Sequence, residues 1–174
     1  MSPEKRPPLS VLVVDDDPAN LESIERILER DGIRVFTATG GRKALEVCRR
    51  HNVEVVLSDL MMPGMNGLDL LKALKSVVPG VELLLMTAFG TVETAVAAMR
   101  EGAYDYVEKP LQRAQILRSV RKAAERGALR AENASLKAEL NALKKRAIVG
   151  NSAILRQAME VADQAAPSTA TVLA

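Results

Sequence analysis

The sequence lacks residues that several protein classes require. Its 174 residues include one cysteine, Cys48, and one histidine, His51, so it can form no internal disulfide and has no second thiol or imidazole for a zinc site. No charged-then-apolar leader and no long apolar run indicates secretion or membrane insertion. We therefore expect a reduced, cytoplasmic protein, with Cys48 in the core and His51 on the surface.

The sequence also has little net charge and no phosphate-binding loop motif of the kind found in many ATPases. The 24 basic and 22 acidic side chains leave a formal net charge of +2, too small to indicate nucleic-acid binding by bulk charge. No G-x-x-x-x-G-K-S/T occurs, so ATP hydrolysis through such a loop is not expected. Hydrophobic residues make up 48% of the chain, which is enough for one substantial core with an appendage.

Short apolar runs alternate with amphipathic segments along the first two thirds of the chain. Predicted strands occupy residues 9–14, 33–38, 53–57, 81–86 and 104–107. Predicted helices occupy residues 18–30, 41–50, 68–78 and 92–100, and a fifth begins near Leu111. This alternation favours an α/β fold with a doubly wound, five-stranded parallel sheet. The flavodoxin-like strand order 2-1-3-4-5 suits a chain of this length.

Polar residues follow the predicted strands, and the expected topology brings them together. Asp15 and Asp16 end the first strand and Asp59 follows the third, while Thr87 and Lys109 lie at the ends of the fourth and fifth. Adjacent carboxylates repel unless a cation relieves them, and Mg²⁺ prefers such oxygen ligands. A phosphoryl group could then be held by metal, hydroxyl and ammonium while Asp59 attacks phosphorus.

Four motifs in this order resemble the receiver domains of two-component response regulators: VLVVDDDP, LSDLMMPGMNG, LMTAFG and DYVEKP, over about residues 10–124. The resemblance implies a CheY-like fold and a phospho-acceptor at Asp59, supplied by a sensor histidine kinase. It also implies that Asp16 and Asp59 ligate Mg²⁺ directly with the carbonyl of Met61, and that Asp15 acts through water. The domain would be a regulatory phosphoprotein, with only self-phosphorylation and autodephosphorylation as its chemistry.

The same resemblance assigns a conformational switch. Thr87 and Tyr106 would form the switch pair, and the Lys109–Pro110 bond is expected to be cis. Asp17 stands where many family members have glutamate, a change that should leave the metal geometry undisturbed. A stand-alone phosphatase of the haloacid-dehalogenase kind is the enzymatic alternative, but it usually needs a second Asp two residues after the nucleophile, where this sequence has Met61.

A leucine repeat follows the receiver, which we expect to span residues 9–125. Leu129, Leu136 and Leu143 recur every seven residues as heptad d positions, while Asn133 and Leu140 fall at a. Residues 126–146 are therefore predicted to be a coiled-coil dimerisation linker, in which the polar a residue favours two parallel strands. A single surface helix with a leucine stripe is the alternative.

Basic residues precede these leucines, so a DNA-reading basic zipper is a further alternative. They are Arg113, Arg118, Arg121, Lys122, Arg126 and Arg130. Against this alternative, Ile116, Leu117 and Val120 of the same helix are expected to pack on the receiver, and Glu125 interrupts the charge.

The two ends of the chain complete the predicted organisation. Residues 1–8 should be a loose arm. Residues 147–174 resemble the beginning of the AAA+ domain of sigma-54-dependent activators, where a sequence like IVGNS opens a first helix, so a truncation before the phosphate loop is expected. Sigma-54 RNA polymerase and DNA would then be contacted only through domains missing here. The tail's apolar residues are expected to lack core partners: Val149, Ile154, Leu155, Val161, Val172 and Leu173.

Overall fold

A computed structural model describes the backbone of residues 8–165 and the side chains of residues 8–144 and 157. The strands are β1 (Ser10–Val14), β2 (Arg34–Ala38), β3 (Val55–Asp59), β4 (Glu82–Thr87) and β5 (Asp105–Glu108). The helices are α1 (Pro18–Glu29), α2 (Gly41–Arg50), α3 (Gly67–Val77), α4 (Val92–Arg100) and α5 (Arg113–Ala165). All strand pairs are parallel, in the order β2-β1-β3-β4-β5, which confirms the predicted fold class.

The strands alternate between two apolar layers because successive side chains point to opposite faces of the sheet. On one face, Leu12 and Val14 of β1 belong to a core shared with α2, α3 and α4. On the other face, Val11 and Val13 belong to a core shared with α1 and α5. The central strands are therefore buried on both faces, as their uninterrupted apolar sequences predicted.

Local sequence signals start the helices at the edge where the polar residues collect. Asp17 accepts a hydrogen bond from the backbone N–H of Ala19 at 2.9 Å, and Pro18 is the first residue of α1. Asn66 accepts one from the N–H of Asp69 at 2.9 Å and so begins α3. These caps end the loops that follow β1 and β3 within a few residues of each strand.

Strand β3 extends further than its apolar run, so the predicted bounds of 53–57 are wrong. Ser58 pairs with Val14 and Leu85, and Asp59 pairs with Met86, so both ladders continue beyond the last apolar residue. Asp59 is consequently the last residue of the strand and not the first residue of the loop. Its backbone is held by pairing with β4, which the hydrophobicity of the sequence alone does not reveal.

Helix α5 belongs to two units of the chain, which divide between Ala131 and Glu132. The first contains the sheet, α1 to α4 and the first part of α5; the second contains the rest of α5. This division falls later than the predicted receiver end at residue 125. The backbone stays helical across Gly150, where the tail resemblance implied that a new helix opens. Residues 1–7, 166–174 and the side chains of the tail's apolar residues lie outside the described part.

The two residues excluded from a zinc site lie where the sequence predicted. Cys48 is buried in α2, and burial raises the pKa of its thiol to about 11. His51 is exposed and stacks on Phe36 with ring centroids 4.6 Å apart. Among the described residues, no helix combines the length and the apolar content needed to cross a bilayer.

Candidate functional site

Three carboxylates converge at the carboxyl edge of the sheet. Asp15 follows β1 and is 1% exposed, while Asp59 ends β3 and is 7% exposed. Asp16 is exposed, and one oxygen from each of the three lies within 4.8 Å of the others. The parallel register explains this convergence, because Val14 pairs with Ser58 and the next residue of each strand is an aspartate. The predicted acidic cluster is therefore present.

Lys109 lies between two of these carboxylates. Its Nζ is 2.8 Å from Oδ2 of Asp15 and 2.8 Å from Oδ1 of Asp59. Its backbone N–H donates to the carbonyl of Thr87 at 2.7 Å, so the chain after β5 stays beside the end of β4. The bond from Lys109 to Pro110 is cis. Burial lowers the pKa of Lys109, but hydrogen bonds and charge attraction from both aspartates outweigh burial and raise the pKa above its ordinary value.

Asn20 is a site residue that the sequence analysis missed. Its side-chain Nδ2 lies 3.2 Å from each carboxylate oxygen of Asp15, which also accepts the backbone N–H of Asp17 at 2.9 Å. The available signal was its position in the first turn of α1, three residues after the end of the acidic run. Asn20 orients Asp15, so the buried carboxylate has neutral donors as well as Lys109.

The donor set suits a hard dication. Mg²⁺ takes oxygen ligands and commonly binds through one or two carboxylates, with waters and phosphate oxygens completing its shell. Asp16 supplies an exposed carboxylate, and Asp15 and Asp59 supply buried carboxylates beside it. The backbone N–H of Met61 donates to Oδ2 of Asp59 at 3.2 Å, which folds the loop back over the site. The residues present therefore fit the magnesium site that the sequence predicted.

The end of β3 and the start of α3 can pack closely together only because α3 begins with a glycine, Gly67. A Cβ on Gly67 would lie 2.6 Å from the carbonyl oxygen of Asp59 and 2.6 Å from Cδ2 of Leu85. No side chain fits there without a shift of the β3 backbone. Gly67 thus allows the strand end that carries Asp59 to pack directly against the start of α3.

Thr87 and Tyr106 lie on neighbouring strands near the acidic cluster. Thr87 is buried, and its Oγ1 accepts the backbone N–H of Phe89 at 3.2 Å. Tyr106 is half-buried, and its hydroxyl lies 3.0 Å from Oγ1 of Thr94 in α4. A Cβ at Gly90 would approach the tyrosine ring to 3.2 Å, so the glycine leaves this ring its space. Thr94 was not singled out from the sequence, where it reads as an ordinary helix residue.

Most of the basic residues that suggested DNA binding form ion pairs with acidic residues outside α5. Arg113 and Arg121 pair with Asp31, and Arg126 and Arg130 pair with Glu82, so four of the six are engaged. A basic region that reads DNA needs its cations free for phosphates. The described contacts therefore weigh against the basic-zipper alternative.

The predicted zipper residues are exposed on the described part of α5. The four leucines at positions 129, 136, 140 and 143 are between 53% and 61% exposed. Asn133 is exposed as well. Their side chains are therefore available to a partner, although the predicted dimer itself stays a prediction.

Comparison with known proteins identifies similar chains. Residues 11–121 match the model of the response regulator receiver domain. The transcriptional regulatory protein ZraR of Escherichia coli K12 is 36% identical over 167 residues, which cover 95% of this chain and 36% of ZraR. The chain thus spans about a third of that relative's length.

Solved structures agree with this match. A response regulator receiver domain protein from Clostridium thermocellum is 31% identical with a TM-score of 0.66, covering 70% of this chain and 98% of that one. The beryllofluoride-activated NtrC4 receiver domain dimer is 32% identical with a TM-score of 0.65, covering 68% and 98%.

Proposed function

Because the chain belongs to the family of response regulator receiver domains, we propose that it accepts one phosphoryl group on Asp59 from a sensor histidine kinase. The observation that carries the proposal is the meeting of Asp15, Asp16, Asp59 and Lys109 at one edge of the sheet. Mg²⁺ is the proposed cofactor, since these donors suit it. The chain acts as a regulatory phospho-acceptor and not as a turnover enzyme.

Each side chain has a definite part in the transfer. A carboxylate oxygen of Asp59 forms the new bond to phosphorus, while the bond from phosphorus to the histidine nitrogen breaks. Lys109 neutralises the phosphoryl oxygens, and the Thr87 hydroxyl donates a hydrogen bond to one of them. Mg²⁺, held by Asp16, Asp59 and the Met61 carbonyl, would neutralise further charge.

The transfer changes contacts that Thr87 makes. Its hydroxyl, which accepts the Phe89 N–H, turns toward the phosphoryl group, and the space it leaves admits the ring of Tyr106. Tyr106 then breaks its hydrogen bond with the hydroxyl of Thr94. Because Thr94 belongs to α4, the contact between Tyr106 and this helix is loosened. A packed element with two discrete arrangements is thereby biased toward one of them.

The signal leaves the receiver through a dimeric linker. The exposed leucines of α5 would each contribute about 1.5 to 3 kcal/mol if buried against a second copy. We place this chain in a sigma-54-dependent transcription activator, where the linker restrains or releases an AAA+ ATPase. The resemblance of residues 147–174 and the match to a transcriptional regulatory protein support this placement. Contacts with sigma-54 RNA polymerase and DNA would belong to other parts of the regulator.

The phospho-acceptor is tested by intact mass after incubation with acetyl phosphate and Mg²⁺. The parent chain should gain one phosphoryl group, and Asp59→Asn should gain none. Asp69→Asn is the matched control, because Asp69 is an exposed aspartate in the first turn of α3. An undiminished adduct on Asp59→Asn would place the nucleophile elsewhere. Asp16→Ala should lose the magnesium dependence together with most of the rate.

The linker is tested by sedimentation of two opposed variants. Leu136→Asp should give monomers, whereas Asn133→Leu should strengthen association and loosen its stoichiometry. Ala138→Asp places the same charge outside the a and d positions and should leave the association unchanged. If Leu136→Asp is as dimeric as the parent, these leucines do not form the interface.

A further inference from the structure

Glu82 is a buried carboxylate outside the phosphorylation site. It begins β4, at the opposite end of the strand from Thr87, and is 3% exposed. Nη1 of Arg130 donates to its Oε1 at 3.1 Å, and Nε of Arg126 lies 3.7 Å from the same oxygen. A buried charge needs such partners, because removing them leaves it without compensation. Both partners come from α5.

A further contact fastens the same turn of α5. The guanidinium of Arg126 lies over the ring of Tyr104, 5.3 Å from its centroid. Gly127 faces the same carboxylate side chain, since a Cβ there would meet Cγ of Glu82 at an ordinary contact distance of 3.4 Å. Charge and stacking therefore act together at the last part of α5 that belongs to the receiver unit.

We propose that Glu82, Arg126 and Arg130 form a clamp that positions the start of the linker helix and ties it to the strand carrying Thr87. This proposal rests on the proposed phosphorylation for its regulatory half and on contacts within the receiver unit for its positioning half. Strand β4 runs for six residues from Glu82 to Thr87, about 17 Å at the usual rise per residue. One short strand thus bears both the switch hydroxyl and the clamp carboxylate.

The clamp also limits where the zipper can begin. Arg126 precedes Asn133 by seven residues and so occupies an a position of the heptad. In a parallel dimer, two free arginines at that position would face each other and repel. Glu82 holds Arg126 on its own receiver and neutralises it, so the seam starts at Leu129. Opening the clamp would therefore oppose pairing of the first heptad.

The positioning half is tested in the unphosphorylated chain by amide hydrogen exchange. Glu82→Gln keeps the shape of the side chain, and Arg130→Gln alters a side chain that is 65% exposed. Each should speed exchange of amides 122–131 by about 10-fold or more, while amides 114–121 keep the parent rate. Glu101→Gln is the control, since Glu101 forms an exposed ion pair with Lys72. If Glu82→Gln and Arg130→Gln exchange like this control, the clamp does not position the helix.

The regulatory half is tested by adding beryllofluoride and Mg²⁺ to the same proteins. In the parent, exchange of amides 122–131 should change on addition; in Glu82→Gln that response should disappear, although acetyl phosphate still yields the Asp59 adduct. A merely structural ion pair would leave the response in place and overturn the coupling. A parent that takes up the phosphoryl group without any response in these amides would overturn it too. Failure of the adduct itself would instead refute the proposed phosphorylation and leave the positioning result standing.

Discussion

Replacing Lys109 by methionine should destabilise the receiver and make it more dependent on Mg²⁺. The lysine lies 2.8 Å from an oxygen of Asp15 and 2.8 Å from one of Asp59. Carboxylate oxygens no more than 4.8 Å apart repel by about 3.5 kcal/mol at an effective dielectric constant of about 20. Breaking a buried ion pair costs about 3 to 5 kcal/mol. We expect a loss of about 3 kcal/mol, at the lower end of this range, because the Lys109 side chain is still 20% exposed.

Thermal unfolding followed by circular dichroism, with EDTA and then with Mg²⁺, measures this effect. A loss of about 3 kcal/mol lowers Tm by roughly 6 to 12 °C for a chain of this size. Lys72→Met is the matched control, since Lys72 forms an exposed ion pair with Glu101 at 3.6 Å. Such pairs contribute at most about 1 kcal/mol. Equal losses for the two variants in EDTA would refute the argument from carboxylate repulsion.

Mg²⁺ and pH provide two further readouts of the same variant. Lys109 places a cation beside the carboxylates that would hold the metal. Its removal should therefore increase the free energy of stabilisation that saturating Mg²⁺ provides. The corresponding gain of the parent is about 2.7 kcal/mol at 100 times Kd. The raised pKa of Lys109 means that its ion pairs contribute fully below the unfolded lysine's pKa of about 10.4. They are lost only as pH rises through the folded-state pKa. The difference between variant and parent should therefore be constant from about pH 7 to 9.

Other side chains give independent tests. Cys48, whose pKa burial raises to about 11, should react with a thiol reagent at pH 8 only after urea unfolds the chain; rapid labelling of the folded protein would contradict its burial. Met61→Asn with Phe89→Glu should speed decay of the phospho-aspartate by about 10²-fold, since polar groups can orient the attacking water; unchanged decay would show that these exposed apolar residues do not shield the site. Thr87→Ala should take up the phosphoryl group but leave amide exchange around Tyr106 unaltered, and a full parent-like response would remove Thr87 from the switch.

The fold and the centre of the site follow from sequence because both depend on periodicity. Buried parallel strands give continuous apolar runs, and a polar residue that ends such a run must lie at the carboxyl edge. The strand order confirmed this logic for Asp15 and Asp59. The end of β3 was misjudged because its last two residues are held by ladder pairing and not by their hydrophobicity: Ser58 pairs with both neighbouring strands, and Asp59 pairs with β4.

What the sequence did not predict depends on contacts between distant segments. Thr94 is a polar residue on an amphipathic helix, and nothing in the spacing separates it from solvated neighbours. Asn20 differs from such residues only by its position shortly after the acidic run. Glu82 at a strand start resembles an exposed edge residue, yet α5 covers it and supplies Arg126 and Arg130. Such partners are chosen by tertiary packing, so their sequence separation carries no period to detect.

The site resists opening because it lies on the ends of strands. Asp59 and Thr87 are the last residues of β3 and β4, so their positions are held by the sheet and not by loops. Fluctuations of the surrounding loops can admit or exclude a phosphoryl donor without separating these groups. Pulling them apart requires breaking the central ladders, which is global unfolding. The receiver should therefore keep a preassembled acceptor for as long as it is folded at all.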